Sequence, residues 1–325
     1  MLPHTISKMN NKPIAIIGSG VIGLTSAVRL LEQGFSVTIY ARETPPHTTS
    51  DVAAAYWAPG ALLGGERMRR WALESLAAFT KLAETPGSGV RFNLLYELST
   101  EPLGVPDLGP LLHTEAVPPG RFPAPWSGFG ITVPQIDVPV YMPWLFQQVH
   151  ILGGQLVQAD IRSLAELAGA HRLVVNCTGL GAHMLTGDDL FPIRGQVIRI
   201  RKPPSLPGEM LSAESHNEVT YIIPRSQDCL LGGTYHYGDA RIQIDEEIAA
   251  GILTRCARFY PVLAEPDIIE HRVGLRPGRR AVRLEVERLG QGISVVHNYG
   301  HAALGHTLSW GCAAEVAALV QSQVN

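Results

Sequence analysis

Residues 12–43 read KPIAIIGSGVIGLTSAVRLLEQGFSVTIYARE. Ile14 to Ile17 form a short apolar run, the pattern of a strand buried on both faces. Gly18, Gly20 and Gly23 then fill a G-x-G-x-x-G turn. In such a turn the first glycine allows the tight bend, the second brings backbone close to a pyrophosphate, and the third lets helix pack on strand. Leu24, Ala27, Val28 and Leu31 recur at helical spacing, Gly34 is a natural stop, and Phe35 to Tyr40 read as a second strand. A helix starting near Val21 and Ile22 aims free N–H groups at phosphates. Glu43 falls where the pattern places a ribose-binding carboxylate, about 20 residues past the third glycine. The βαβ unit therefore predicts a dinucleotide site. It does not separate NAD from FAD, and Arg42 beside Glu43 is either a solvated surface charge or a contact to a 2′-phosphate.

The rest of the chain sets bounds. At 325 residues, length alone suggests two domains. A hydrophobic fraction of 46% and a charged fraction of 17% fit a compact globular enzyme. A net charge of −3 provides no basic footprint for nucleic acid. The cysteines, Cys177, Cys229, Cys256 and Cys312, are widely spaced without a CxxC, so neither zinc nor a disulfide framework is expected. The opening MLPHTISKMNN lacks a signal peptide's apolar stretch, no run is long enough to span a bilayer, and the ending SQVN is not a peroxisomal address. A cytoplasmic location is the default expectation.

Further elements follow from periodicity. Residues 66–84 predict an amphipathic helix, 101–130 loops, and 143–152 a helix. Residues 173–175 predict a buried strand ending in the small-residue turn Asn176-Cys177-Thr178-Gly179. Residues 194–201 alternate as a strand, 220–225 and 229–239 read as an antiparallel pair, and 249–260 as a helix. A strand at 293–296, a glycine-rich turn and a helix from about Thr307 close the chain. Glycine signals at both ends predict an α/β fold: a Rossmann-like cofactor domain assembled from 10–62, 146–190 and 284–325. An α+β substrate domain with a mixed or antiparallel sheet is then expected from 63–145 and 191–283.

VVHNYGHAALGHTLSWGCA, residues 295–313, resembles the C-terminal signature of the D-amino acid oxidase family. GSGVIGL, TTSDVAAAYWAP (48–59), VVNCTG (174–179), PIRGQ (192–196), YIIPR (221–225), GGTYHYGD (232–239) and LRPGRRAVRLE (275–285) resemble other segments of that family in order. The resemblance implies FAD as cofactor and oxidative deamination of D-amino acids. The α-hydrogen leaves as hydride to flavin N5, O2 becomes H2O2, and the imino acid hydrolyses to a keto acid and ammonia. It implies that Arg283 holds the substrate carboxylate, Tyr221 makes a second contact, Tyr235 is an active-site tyrosine and the Ala303 carbonyl accepts from the substrate amine. Cofactor contacts are implied at Gly18, Gly20, Val21, Ile22, Gly23, Arg42, Glu43, Thr48, Thr49, Ser50, Ala54, Ala55, Val174, Cys177, Thr178, Gly179 and Gly181. Others are implied at Arg283, His301, Ala302, Ala303, Leu304, Gly305 and Thr307.

Read as bare residues, Arg283 is an ordinary ion-pair partner, the tyrosines are strand aromatics, and His297 and His301 are structural. The family carries glycine or serine where this chain has Ala302 and Ala303, so positive φ there is disfavoured by a methyl. In related D-aspartate oxidases a basic residue falls at the position of Tyr235, so neutral D-amino acids are expected, with His216 a polar contact. The segment from Pro204 to Thr220 is expected to cover the site as a short loop. The partners expected are a small D-amino acid and O2, without nucleic acid or membrane, and a homodimer or other homo-oligomer is left open. Alternatives on the same fold are a D-aspartate oxidase and a glycine or sarcosine oxidase-like amine oxidase; an NAD(P) dehydrogenase and a flavin-binding protein without turnover are more distant.

Overall fold

The computed structural model describes residues 12–101, 103, 112–215, 218–289 and 292–324. The first half of the chain runs β1 (Ile14–Ile17), α1 (Val21–Glu32), β2 (Val37–Ala41), α2 (Glu66–Ala83), β3 (Val90–Ser99), β4 (Thr114–Ala116), β5 (Ser127–Ile136), α3 (Val138–Ile151) and β6 (Gln155–Gln158). The second half runs β7 (Leu173–Asn176), α4 (Ala182–Thr186), β8 (Phe191–Ile200), β9 (Met210–Ser215), β10 (Glu218–Pro224), β11 (Cys229–Gly232) and β12 (His236–Tyr237). It ends with α5 (Glu246–Phe259), β13 (Ile268–Gly278), β14 (Arg283–Leu289), β15 (Ile293–Tyr299) and α6 (Gly305–Val324).

Two sheets form. The first has the order β14-β15-β7-β1-β2-β6. Its β1 lies parallel to both β2 and β7, and β15 lies parallel to β7. Strands far apart in sequence thus meet in one sheet, because the central strands β1, β7 and β15 are buried almost throughout and need cover on both faces. Helix α6 packs beside α1 and α2; at Gly311 the backbones come so close that a Cβ would lie 2.1 Å from the Trp71 carbonyl oxygen.

The second sheet has the order β12-β8-β11-β10-β9-β3-β5-β4, with β13 also paired to β8. Alternation sorts its residues by face. Tyr96, Leu98, Leu211, Ala213, Ile222 and Leu231 pack under α5 with Ile252, Cys256 and Phe259. Leu95, Phe129, Met210, Tyr221 and Ile223 point the other way and share a core with the first sheet's helices.

Among its described residues the segment 204–220 is not a covering loop. Met210–Ser215 is strand β9, bonded to β10 on one side and β3 on the other, because its alternating Met210-Leu211-Ser212-Ala213 fits a sheet. Within the stretch 101–130, strand β5 already begins at Ser127 and β4 spans 114–116. Helix α3 starts at Val138, five residues before Pro143, which it carries internally.

Candidate active site

Three turns of the first sheet converge at the carboxyl ends of its strands. At the first, Gly18 has φ +104°, and a Cβ there would lie 2.6 Å from the Cys177 carbonyl oxygen. Gly23 presses on Gly18 itself, where a Cβ would meet the Gly18 oxygen at 1.9 Å. Helix α1 starts at Val21 with no acidic residue in its first turn, and Ser50 Oγ accepts from the Val21 N–H at 2.9 Å. At the second turn, Thr178 Oγ1 donates to Asn176 Oδ1 at 2.7 Å, followed by Gly179 and Gly181. At the third, Ala302–Leu304 forms one tight turn before α6.

The polar groups here suit a large cofactor. The buried His301 Nε2 and His306 Nδ1 flank the third turn without a hydrogen-bond partner. Burial pushes the His301 pKa down to about 3 and that of His306 to about 4, so both rings are neutral acceptors or donors. The α1 and α6 N-termini open on the same crevice: a Cβ on Gly305 would approach Val21 at 3.9 Å. Glu43 lies two residues past the end of β2, beside the first turn, where its carbonyl accepts from Ser19. Arg42 and Glu43 are both exposed and pair at 3.5 Å. Thr48 binds Asp51 to close the short turn Thr49–Val52, and Ala55 accepts a backbone bond from Ile136. Thr307 Oγ1 is engaged with the Ala58 N–H and the Tyr56 carbonyl, so it holds the 56–58 segment onto α6. Val174 is placed differently from expectation: it is fully buried mid-strand, packed with Ala15, Ile17 and Val295 beneath the turn.

Ala302 has φ +47°, and is the one non-glycine residue at positive φ among the described residues. The methyl disfavours this conformation by roughly 1–2 kcal/mol. The alanine was expected to disfavour positive φ here, and the chain adopts it nonetheless at Ala302.

Beside the crevice runs β13. Arg272 Nη1 donates to the Asp51 carbonyl at 3.1 Å, and Pro277 lies 3.8 Å from the position of a Cβ on Gly179. Between them, Arg276 turns into the space over Gly195, where a Cβ would lie 2.3 Å from its Nη1. Its guanidinium donates to the Thr234 carbonyl at 3.0 Å and stacks 4.3 Å from the centre of the Tyr235 ring. Among the described residues no carboxylate pairs with it. The Tyr221 ring fills the room left by Gly232 and Gly233, where a Cβ would lie 2.2 and 2.4 Å from it. Burial pushes the Tyr221 hydroxyl up to about 12, and the nearby Arg276 pulls it partly back. Tyr221 therefore stays a neutral phenol next to a free cation.

Arg283, expected in this role, is elsewhere. It opens β14 at the edge of the first sheet, opposite Tyr299. Its Nε donates to Glu285 at 2.7 Å, Nη1 to the Tyr299 hydroxyl at 2.9 Å and Nη2 to Glu287 at 2.9 Å. Burial opposes its charge, but the bonds to Glu285 and Tyr299 raise its pKa overall. With every guanidinium nitrogen taken by this network, Arg283 has no fork to offer a substrate. Arg276, seven residues earlier in the same arginine-rich segment and on β13, has one.

Sequence reasoning also missed Tyr56, Glu97 and Ser212. Tyr56 hydrogen-bonds Ser212 and feels the charge of Glu97, Tyr235 and Tyr221. The available signal was a lone charge at Glu97 inside the otherwise apolar run Leu94–Leu98. His216 lies outside the described residues.

A family model described as FAD dependent oxidoreductase matches residues 13–319. The chain belongs to this family. Within it, the chain sits in the D-amino-acid oxidase branch: it is 41% identical over 312 residues to the D-amino-acid oxidase of Rubrobacter xylanophilus, spanning 94% of each protein. It is 37% identical over 311 residues to the D-amino-acid oxidase of Streptomyces coelicolor, spanning 94% of this chain and 96% of that one. The D-aspartate oxidase of Homo sapiens is 36% identical over 335 residues, spanning 98% and 97%. Among solved structures, glycine oxidase from Geobacillus kaustophilus superposes with a TM-score of 0.78 at 20% identity, covering 95% of this chain and 94% of that one, which shows the shared fold. FAD is the cofactor, and the glycines and helix N-termini of the three-turn crevice have the chemistry that such a phosphate-bearing group requires. No helix among the described residues is long and apolar enough to cross a membrane.

Proposed function

We propose that this oxidoreductase oxidatively deaminates D-amino acids, with Arg276 and Tyr221 gripping the substrate carboxylate. The observation that carries the reading is the unpaired Arg276 guanidinium beside the Tyr221 hydroxyl, on the strand that borders the cofactor turns. A guanidinium fork matches a carboxylate with two parallel hydrogen bonds, and the phenol adds a third donor. Stacking on Tyr235 and the bond to Thr234 hold the fork in one orientation before substrate arrives.

FAD, when bound, supplies the acceptor for the α-hydrogen as hydride and returns the electrons to O2 as H2O2. The chain's residues bind and orient. The site needs no protein base at the α-carbon, which suits a pocket of Arg276, tyrosines and backbone. The carbonyls of the exposed 302–304 turn, Ala303 among them, are the acceptors proposed for the substrate amine. The imino acid released hydrolyses in water to a keto acid and ammonia.

Neutral D-amino acids fit this pocket, and acidic ones meet Glu97 rather than a second cation. A reducing, cytoplasmic setting is part of the proposal, supported by four buried cysteines that are all free. The test is peroxide release from the FAD-loaded enzyme over a panel of D- and L-amino acids. Turnover of D-alanine with silence toward L-alanine is expected. Turnover of glycine or sarcosine above all D-amino acids overturns the reading.

A further inference from the structure

Strand register places one row of side chains on the face of the second sheet that looks toward the cofactor crevice. Tyr221 on β10 stands opposite Ser212 on β9, and Ser212 stands opposite Glu97 on β3. The neighbouring row carries Glu214 opposite Ser99 and Val219. Strands lie about 4.8 Å apart, so Glu97 sits roughly 10 Å across the sheet from Tyr221. It lies on the side away from β11 and β8, where Arg276 is. The row therefore runs from the carboxylate grip, through two hydroxyls on Tyr56 and Ser212, to a carboxylate.

We propose that Glu97 reads the far end of the substrate side chain and extends this enzyme's range to D-amino acids ending in an ammonium or guanidinium. The assignment rests on the Arg276 and Tyr221 grip, which fixes the direction in which a side chain leaves the α-carbon. A lysine-length stem spans a little more than one strand spacing, and the Glu97 side chain extends to meet its cation over the rest, with Glu214 adding negative potential at the exposed rim.

The state of Glu97 agrees. It is half-buried on a mostly apolar sheet and forms no ion pair with any described residue. Burial first, and the Glu214 charge second, push its pKa up to about 7. A carboxylate so placed accepts a proton easily in the absence of a cation and gains most from one that arrives. Protonated, it tolerates the neutral side chains already assigned. Charged, it repels a distal carboxylate, which separates this pocket from one made for D-aspartate.

The experiment compares kcat/KM for D-lysine and for D-norleucine, which has a similar stem without the charge, in the FAD-loaded enzyme and in Glu97→Gln. The variant is expected to lower the D-lysine to D-norleucine ratio by about tenfold or more, the effect of removing a charge-assisted hydrogen bond. An unchanged ratio overturns the proposal. A second measurement needs no variant: in the wild type the ratio rises between pH 6 and 8 as Glu97 ionises, among the facing groups Glu214, Tyr56, Tyr221, Tyr235 and Arg276. A flat ratio over that range overturns it equally. If D-alanine is turned over and the ratio fails, only Glu97 loses its role. If no D-amino acid yields peroxide, the grip itself is wrong and the proposal falls with it.

Discussion

Exchanging the two candidate arginines separates their roles. Arg276→Ala removes a fork whose partners in the free protein are the Thr234 carbonyl, the Tyr235 ring and the Tyr221 hydroxyl, none of them charged, so the fold loses little. The bound substrate loses two charge-assisted hydrogen bonds, each worth about 1.5–3 kcal/mol. Taking roughly 3–4 kcal/mol together, kcat/KM for D-alanine falls about 10²–10³-fold, mostly through KM. Arg283→Ala acts on stability. Its partners Glu285 and Glu287 are 58% and 42% exposed, which limits those pairs to about 0.2–1 kcal/mol each. The Tyr299 bond adds about 1 kcal/mol, so the loss is about 1.4–3 kcal/mol and a few degrees in Tm, with KM near wild type. Peroxide-coupled kinetics and thermal melts of both FAD-loaded variants decide the matter. A raised KM in Arg283→Ala together with an unaltered one in Arg276→Ala refutes the reasoning.

Other outcomes follow from the same geometry. Ala302→Gly relieves the positive φ and raises stability by about 0.5–1 kcal/mol after the entropy of glycine is counted; a lower melting temperature contradicts the backbone assignment. Gly18→Ala drives a methyl into the Cys177 carbonyl and is expected to release FAD, read as lost flavin absorbance on gel filtration; full retention of yellow colour refutes the turn's role. His301 and His306 bind protons in the unfolded chain below about pH 6.5 but resist them when folded, down to about 3 and 4. Stability of the apoprotein is therefore present above pH 6.5 and lost as pH falls toward 4, by up to about 2.7 kcal/mol per pH unit if both contribute. Urea melts at pH 7, 5.5 and 4.5 check the slope, which His306→Gln should reduce.

The fold was legible wherever local pattern and burial agreed. The βαβ unit of 14–41 and the buried strand read at 173–175 form as expected, because strand period and glycine turns are local signals. Of the pair read at 220–225 and 229–239, only 229–232 lies on β10, and residues 236–237 pair with β8 instead. Met210–Ser215 was hidden by the Pro and Gly around it, and only its two sheet neighbours make it a strand. The site was legible as a set of motifs but not as a set of directions. Arg276 and Arg283 share one arginine-rich segment, yet they fall on strands of different sheets, and residue type cannot say which guanidinium is already occupied. Glu97, Ser212 and Tyr221 are scattered over more than a hundred residues, and only register between parallel and antiparallel strands lines them up.

The most direct test is a crystal structure of the FAD-loaded protein soaked anaerobically with D-alanine. The account predicts the isoalloxazine beside the 302–304 turn, with the substrate carboxylate on the Arg276 fork and the Tyr221 hydroxyl. A carboxylate seated on Arg283, or a flavin bound away from the α1 N-terminus, contradicts it.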